Sequence, residues 1–250
     1  MTPSMMIARK EAGELLLSIR GLAWLTTAAL ALSAFGLLLI GSAELSLLDN
    51  AQVVYDMAAI GAALGALLAL VVGIDTVAGE RERGSLTPLI LTPVSRGAIL
   101  AGKLGGVAIA WAAVYALTLP YLWAVGATGP NMGAAIAVSA LFGTPVVLGF
   151  GMFGMGLGAA AGSARSALMI GLAALVVSAS PLLLGPSLRQ SAIGRMFDAV
   201  NPFSAAVNAY DAVIIDSQPI AAHGWQLAVA IVWLIAAAVF ARSGARNFYR

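Results

Sequence analysis

The chain has no cysteine and a single histidine, His223. The first absence excludes a disulfide framework, a thiolate metal site and a cysteine nucleophile. The lone histidine sits beside Trp225 without clustered carboxylates, so it reads as an interfacial residue and no metal site is expected. Only Asp211 and Asp216 lie near it as acids and no nucleophile motif appears, so no Ser/His/Asp set can be assembled. Charge is scarce too: Asp, Glu, Lys and Arg make up 10% of 250 residues, against about 25% in soluble domains. The pI near 9.2 reflects Lys and Arg gathered on one side of a membrane rather than a nucleic-acid partner.

What fills the space is apolar. Hydrophobic residues make up 61% of the chain and mean hydropathy is +0.96, enough for about six transmembrane helices and no soluble catalytic domain. The expected spans run over residues 21–40, 57–77, 99–123, 132–161, 167–184 and 225–241. Continuous runs without ten-residue alternation argue for helices rather than barrel strands. The fourth run is too long for one straight crossing, and Gly143-Thr144-Pro145 is expected to kink or break it. Residues 1–20, with Arg9, Lys10, Glu11, Glu14 and Arg20 among leucines, lack the shape of a cleaved signal peptide and read as an amphipathic surface helix. Residues 185–224 are too long and too apolar for a turn and predict short helices dipping into the outer leaflet. The whole reads as one all-α transmembrane domain over residues 1–250.

Orientation follows from the basic residues. With the N-terminus inside, Arg9, Lys10, Arg20, Arg81, Arg83, Arg96, Lys103, Arg165, Arg242, Arg246 and Arg250 lie on the cytoplasmic side. That leaves only Arg189 and Arg195, of 13 Lys and Arg, outside. The positive-inside rule therefore puts both termini in the cytoplasm. The acids Glu44, Asp49 and Asp56 fall in the expected outer loop.

Charge concentrates at one place, Glu80-Arg81-Glu82-Arg83-Gly84-Ser85-Leu86-Thr87-Pro88, followed by Pro93-Val94-Ser95-Arg96 and Gly102-Lys103. Read as residues alone, this loop either marks topology or forms a short surface helix. In the second case its acids complement the helix dipole, and Leu86, Leu89, Ile90 and Leu91 offer an apolar stripe to a groove on a partner. Gly97 to Lys103 has the spacing of a phosphate loop, but Leu104 stands where Ser or Thr would hold magnesium and no strand precedes it, so nucleotide binding is rejected. Asp75 is the acid nearest the membrane interior. It reads as a partner for Arg81 or Arg83 in preference to a proton relay. Gly151, Gly154, Gly158 and Gly162, like Gly61 and Gly65, suggest close helix packing. Met152, Met155 and Met169 are too scattered for a soft-metal path.

At the charged block the chain resembles the membrane subunit of type-2 ABC exporters, the ABC-2 permeases. That family's loop between spans two and three reads like Glu-Arg, Gly-Thr-Leu, a further Leu, Pro-Val-Ser-Arg, Ile-Leu and Gly-Lys. The order here is Glu80-Arg81, Gly84-Ser85-Leu86, Leu89, Pro93-Val94-Ser95-Arg96, Ile99-Leu100 and Gly102-Lys103. Ser85 replaces the commoner Thr and keeps the hydroxyl. Ala8-Arg9-Lys10-Glu11 is similar to the family's entry helix, and Asn201-Pro202-Phe203 to its external segment. Within the family the chain is most similar to the branch that includes permeases of copper-enzyme maturation systems.

The resemblance implies a permease homodimer in a bacterial or archaeal cytoplasmic membrane, bound to two ATP-binding cassette ATPase subunits that carry the ATP and magnesium. Residues 79–97 would couple to the ATPase. Glu80, Arg81, Arg83 and Arg96 would make charged contacts, Leu86 and Leu89 would fill a groove, Gly84 would permit the turn and Pro93 would end the helix. The first and fifth spans would form the dimer interface. Two alternatives stay open: a proton-coupled secondary transporter using Asp75, and a membrane transducer that moves no cargo and contacts a periplasmic partner through residues 185–224.

Overall fold

The computed structural model describes residues 2–41, 50–85, 88, 94–126, 131–180 and 191–245. Among these every regular element is a helix: α1 (Pro3–Leu17), α2 (Ile19–Gly41), α3 (Asn50–Ile74), α4 (Arg96–Gly126), α5 (Met132–Ala160), α6 (Ala164–Ala179), α7 (Ala192–Val200), α8 (Pro202–Tyr210) and α9 (Gly224–Ala245). Five stretches are apolar and long enough to cross a bilayer: Ile19–Leu39, Asn50–Glu82, Gly97–Gly126, Met132–Ala160 and Ile220–Gly244. The sixth apolar helix, α6, has 16 residues. At about 1.5 Å per residue it is shorter than the ~30 Å hydrocarbon core. The chain is an all-α membrane protein of about six spans.

Two boundaries differ from expectation. The second span starts at Asn50 rather than near Met57, which takes Asp56 out of the loop and into a helix. The helix tolerates it because Gln52, one turn earlier, donates to its carboxylate at 3.2 Å. The break expected at Gly143-Thr144-Pro145 is absent: α5 runs unbroken through Pro145, and α4 through Pro120. Neighbouring helices hold the proline turn, as is common in membranes. Pro145 is buried, and the Trp111 indole N–H of α4 donates to Thr144 Oγ1 at 3.0 Å.

The core is α3 and α5 packed backbone to backbone. A Cβ on Gly154 would lie 2.5 Å from the Leu70 carbonyl oxygen, and one on Gly158 3.0 Å from that of Ile74. Small residues let membrane helices approach this closely, where packing rather than water drives association. The other face of α5 carries aromatic contacts to α9, with Phe150 and Trp233 centroids 5.1 Å apart and Phe153 and Phe240 at 5.7 Å. Gly162, the last of the expected glycine row, lies in the turn after α5 with no neighbour at its Cβ position.

Residues 192–223 are not a solvated loop. α8 is buried along nearly its whole length, whereas α7 buries nothing and turns Ile193, Met196 and Val200 outward. His223 is buried in a short 3-10 turn, Ile220–His223, just before α9. Trp24, Trp123 and Trp225 are exposed near span ends, where indoles favour the membrane interface.

The packing makes opposite predictions for two glycines. Gly154→Val should destabilise the detergent-solubilised protein by about 2 kcal/mol or more, because the backbone opposite cannot yield. Gly13→Ala, within α1 with nothing near its Cβ position, should stabilise by about 0.5–1 kcal/mol. Thermal melts of the two variants against wild type test both signs.

Candidate coupling site

The site is built at the end of α3, where the helix changes pitch. Residues Asp75–Gly79 form a π turn, with the Glu80 N–H reaching back to the Asp75 carbonyl. The wide turn folds the Asp75 carboxylate over the backbone of Gly79, where any Cβ would collide with it. Asp75 thereby points sideways to Arg83, whose Nη1 and Nη2 donate at 3.1 and 3.3 Å, and to Arg20 Nη1 at 3.4 Å. Its Arg81 alternative is not the partner. All three side chains are roughly half exposed, so each pair contributes at most about 1 kcal/mol.

Glu80, one residue beyond the π turn, is turned inward and only 2% exposed. Its Oε2 accepts from Lys103 Nζ at 2.7 Å and its Oε1 from Lys10 Nζ at 2.6 Å. Lys103 on α4 is fully buried, and its ammonium donates three hydrogen bonds: to Glu80, to the Thr76 carbonyl at 2.6 Å and to Glu11 Oε1 at 3.1 Å. An ammonium has three protons to donate, and all three are used. Burial pushes the Glu11 carboxyl above its ordinary range, and the Lys103 charge beside it opposes that rise. Glu11, Glu80, Lys10 and Lys103 thus join α1, α4 and the segment after α3, and Glu14 adds a further contact to Lys10 at 3.4 Å.

α1 reaches this cluster because α4 has no side chains in its way. Gly102, Gly105 and Gly106 lie against Ile7, Ala8 and Glu11, and Ile7, Glu11 and Leu15 form the buried stripe of α1. The phosphate-loop spacing of the sequence has a structural cause here. Its glycine is a helix-packing contact, and its lysine is consumed by two carboxylates and a carbonyl.

Past Glu80 the chain turns outward. Gly84, at φ +72°, takes the left-handed conformation that ends a helix. Its N–H returns to the Arg81 carbonyl at 3.1 Å, and the Ser85 N–H to that of Glu80 at 3.0 Å. Arg81 and Glu82 reach sideways to the turn between α5 and α6. Arg81 Nη2 donates to the Ala161 carbonyl at 2.7 Å, and Glu82 Oε1 accepts from the Ala164 N–H at 2.7 Å.

Of the expected coupling residues, Arg81, Arg83, Gly84 and Ser85 are exposed. Glu80 is not on that surface. The π turn rotates it inside, where desolvation demands the cationic partners it has. Leu86, Leu89 and Pro93 lie outside the described residues, and Arg96 opens α4. Sequence reasoning missed Lys10 and Lys103 as partners of Glu80, Glu11 as a second partner of Lys103, and Glu82 as a cap on α6. The signal that could have found the first set is Gly102-Lys103 with Gly105 and Gly106, a lysine flanked by glycines on one helix face.

At the opposite end Asn201 joins three helices. Its N–H closes α7 on the Phe197 carbonyl at 2.9 Å. Its Oδ1 accepts from the Phe203 and Ser204 amides of α8 at 2.8 and 3.4 Å, and its Nδ2 donates to the Ser178 carbonyl of α6 at 2.8 Å. Pro202 starts α8, and Phe203 packs on Phe150 of α5 with centroids 5.7 Å apart. Among the described residues no group of His, Cys, Asp or Glu has the clustering of a metal site.

Five long apolar helices, a sixth shorter one and a charged, partly exposed turn at one end define a multi-pass membrane protein with a candidate coupling surface. A family model described as ABC-2 family transporter protein matches residues 5–248, and the chain belongs to that family. It is accordingly an ABC transporter permease, the membrane transport subunit. The match singles out no branch within the family. No curated protein matches the chain.

The buried cluster and the half-exposed pair predict different costs. Lys103→Met strands Glu11, leaves Glu80 with Lys10 alone and should destabilise by about 3–5 kcal/mol. Glu11→Gln with Lys103→Met should recover most of that loss, since Glu80 keeps Lys10. Asp75→Asn, which weakens two half-exposed pairs, should cost no more than about 2 kcal/mol. Melting of the four proteins side by side checks the order.

Proposed function

We propose that this chain is the membrane half of an ATP-driven exporter and that the surface from Arg81 through Arg96 docks a separate ATP-binding cassette ATPase, which holds the nucleotide and magnesium. The observation that carries the reading is the wiring behind that surface. One residue inward of the exposed turn, Glu80 is bonded to α1 and α4 through Lys10 and Lys103. On the turn itself, Arg81 and Glu82 hold the α5–α6 connection. A push on this turn reaches four helices besides its own. ATP-driven closure of the ATPase would shift the bundle between inward- and outward-facing states through these contacts.

The same end of the bundle gathers Lys10, Arg20, Arg81, Arg83, Lys103, Arg165 and Arg242, which supports a cytoplasmic location for it and for both termini. The membrane is then the cytoplasmic membrane of a bacterium or archaeon. α2 and α6 leave apolar side chains such as Leu30, Leu37, Met169 and Val176 exposed, and a second copy of the chain would cover part of them in a homodimer. Asp75, held by two arginines, is better suited to orienting the docking turn than to carrying protons. Its replacement by Asn should therefore leave ATP-dependent function in place.

The direct test is co-purification with a co-expressed ATP-binding cassette ATPase. Leu86→Asp combined with Leu89→Asp should lose the ATPase while melting at the wild-type temperature, because both changes fall on the docking stripe. Retention of the ATPase by that variant would overturn the docking surface. Glu80→Ala is the wrong probe, since it unbalances the buried cluster and removes the partner by unfolding.

A further inference from the structure

α6 is lightly buried, like α2 and α9, and what sets it apart is how its two ends are held. Only Ala167, Gly171 and Leu175 are buried, a single stripe of one residue per turn. It rests on Leu70 and Ile74 of α3, whose side-chain carbons lie 3.1–3.3 Å from where a Gly171 Cβ would be. Met169, Ile170, Val176 and Val177 face outward. Each end of the helix is gripped from outside by one side chain. Glu82, exposed and part of the turn after α3, accepts from the first-residue amide of α6 at Ala164. Asn201, 4% exposed, donates to the last-turn carbonyl at Ser178. These are the groups a helix cannot satisfy by itself, and a carboxylate at the N-terminus is further favoured by the helix dipole.

The two grips are mechanically unequal. Asn201 is locked into α8, which is buried in the bundle, by two amide bonds to its side-chain oxygen. Glu82 lies on the short helical turn that follows the π turn, just before the left-handed Gly84, at the surface. We propose that α6 is a lever, pivoted at Asn201 and driven at Glu82, which swings its Ala164 end away from Leu70 and Ile74 when the coupling turn moves. This rests on the docking reading above, and it assigns Glu82 and Asn201 as positioning residues for the transport cycle. The swing would open an apolar cleft between α3 and α6 at the coupling end while the Ser178 end stays closed.

A rigid lever makes a ratio testable. Counting about 1.5 Å per residue from the pivot, Met169 lies roughly 13 Å along the helix and Val177 less than about 2 Å. The absence of native cysteine makes site-directed spin labelling clean. Met169→Cys and Val177→Cys are each paired with Val232→Cys on the outward face of α9, in the permease–ATPase complex in lipid nanodiscs. ATP with vanadate should change the Met169 distance by about 2 Å or more and the Val177 distance several-fold less.

Glu82→Ala should abolish the Met169 change in complexes that still carry the ATPase, and Glu82→Gln, which keeps an acceptor for the Ala164 amide, should restore it. Asn201→Asp keeps the cap on α8 but loses the donor to Ser178, so the Val177 distance should begin to change. Asn201→Ser serves the same purpose should the buried acid prevent folding. Equal changes at Met169 and Val177 in wild type, or an unaltered Met169 change in Glu82→Ala, overturn the lever. A wild-type complex that assembles but shows no ATP response at either position overturns it too, and failure of the complex to assemble sinks the docking reading instead.

Discussion

A lysine ammonium with no exposed surface has to be surrounded by acceptors, and Lys103 sets the arrangement around it for that reason. Its three hydrogen bonds go to two stretches of chain: Glu11 of α1, and the π turn at the end of α3 through the Thr76 carbonyl and Glu80 just beyond it. No two of these can be correctly placed while the third is displaced without leaving a charge uncompensated. A buried ion cluster of this kind is poor evidence of net stabilisation, because desolvating Glu11, Glu80 and Lys103 offsets much of their attraction. Its consequence is specificity. α1 must lie on α4, and the coupling turn must leave α3 at one angle, because only that arrangement pairs every charge.

The π turn is the second half of the same constraint. A regular α-helix advances about 100° per residue, so the residue accommodated by a π turn decides which of Asp75 and Glu80 looks inward. Here Asp75 goes to the surface with Arg20 and Arg83, and Glu80 goes inside. This is why the charged block could be located in the sequence but not sorted. Six apolar runs, the basic bias toward one end and the acid-glycine-proline order of the block are all one-dimensional signals. They sufficed for an all-α membrane bundle with a distinct charged turn. Whether Glu80 is docking surface or core depends on a pitch change that no periodicity in residues 70–85 announces. The Gly102-Lys103 pair was similarly visible and opaque. Its spacing invites a phosphate, yet the glycine lies under Ile7 and the lysine is saturated before any ligand could reach it.

The bundle divides into parts that can move and parts that cannot. α3 and α5 meet backbone to backbone over several turns, and α9 is keyed to α5 by Trp233 and Phe240 over Gly149 and Gly156. Separating such faces would expose peptide groups and large rings together, so these three helices form the frame. α1 is tied to α4 by glycine contacts and buried charge. α6 touches the core through a narrow stripe of Ala164, Ala167, Leu168, Gly171 and Leu175, and a single side chain from outside bonds each of its ends. A mechanical input at the α3 terminus therefore finds stiff connections toward α4 and a compliant one toward α6.

That contrast bears on where a substrate path can form. Within the described residues the bundle interior is filled. Of its polar groups, Trp111, Tyr115, Thr118 and Ser139 are bonded to neighbouring hydroxyls or carbonyls, whereas the Trp233 indole N–H is buried without a hydrogen-bond partner. A path has to be created by separating helices, and the cheapest separation is the one that exposes least. Moving α6 from α3 uncovers Leu70, Ile74 and the small stripe of α6, all of which tolerate lipid or an apolar cargo without leaving a polar group bare. Parting α3 from α5 would instead expose backbone along Gly154 and Gly158. Glycine placement thus makes the α3–α6 seam the one whose separation exposes least backbone.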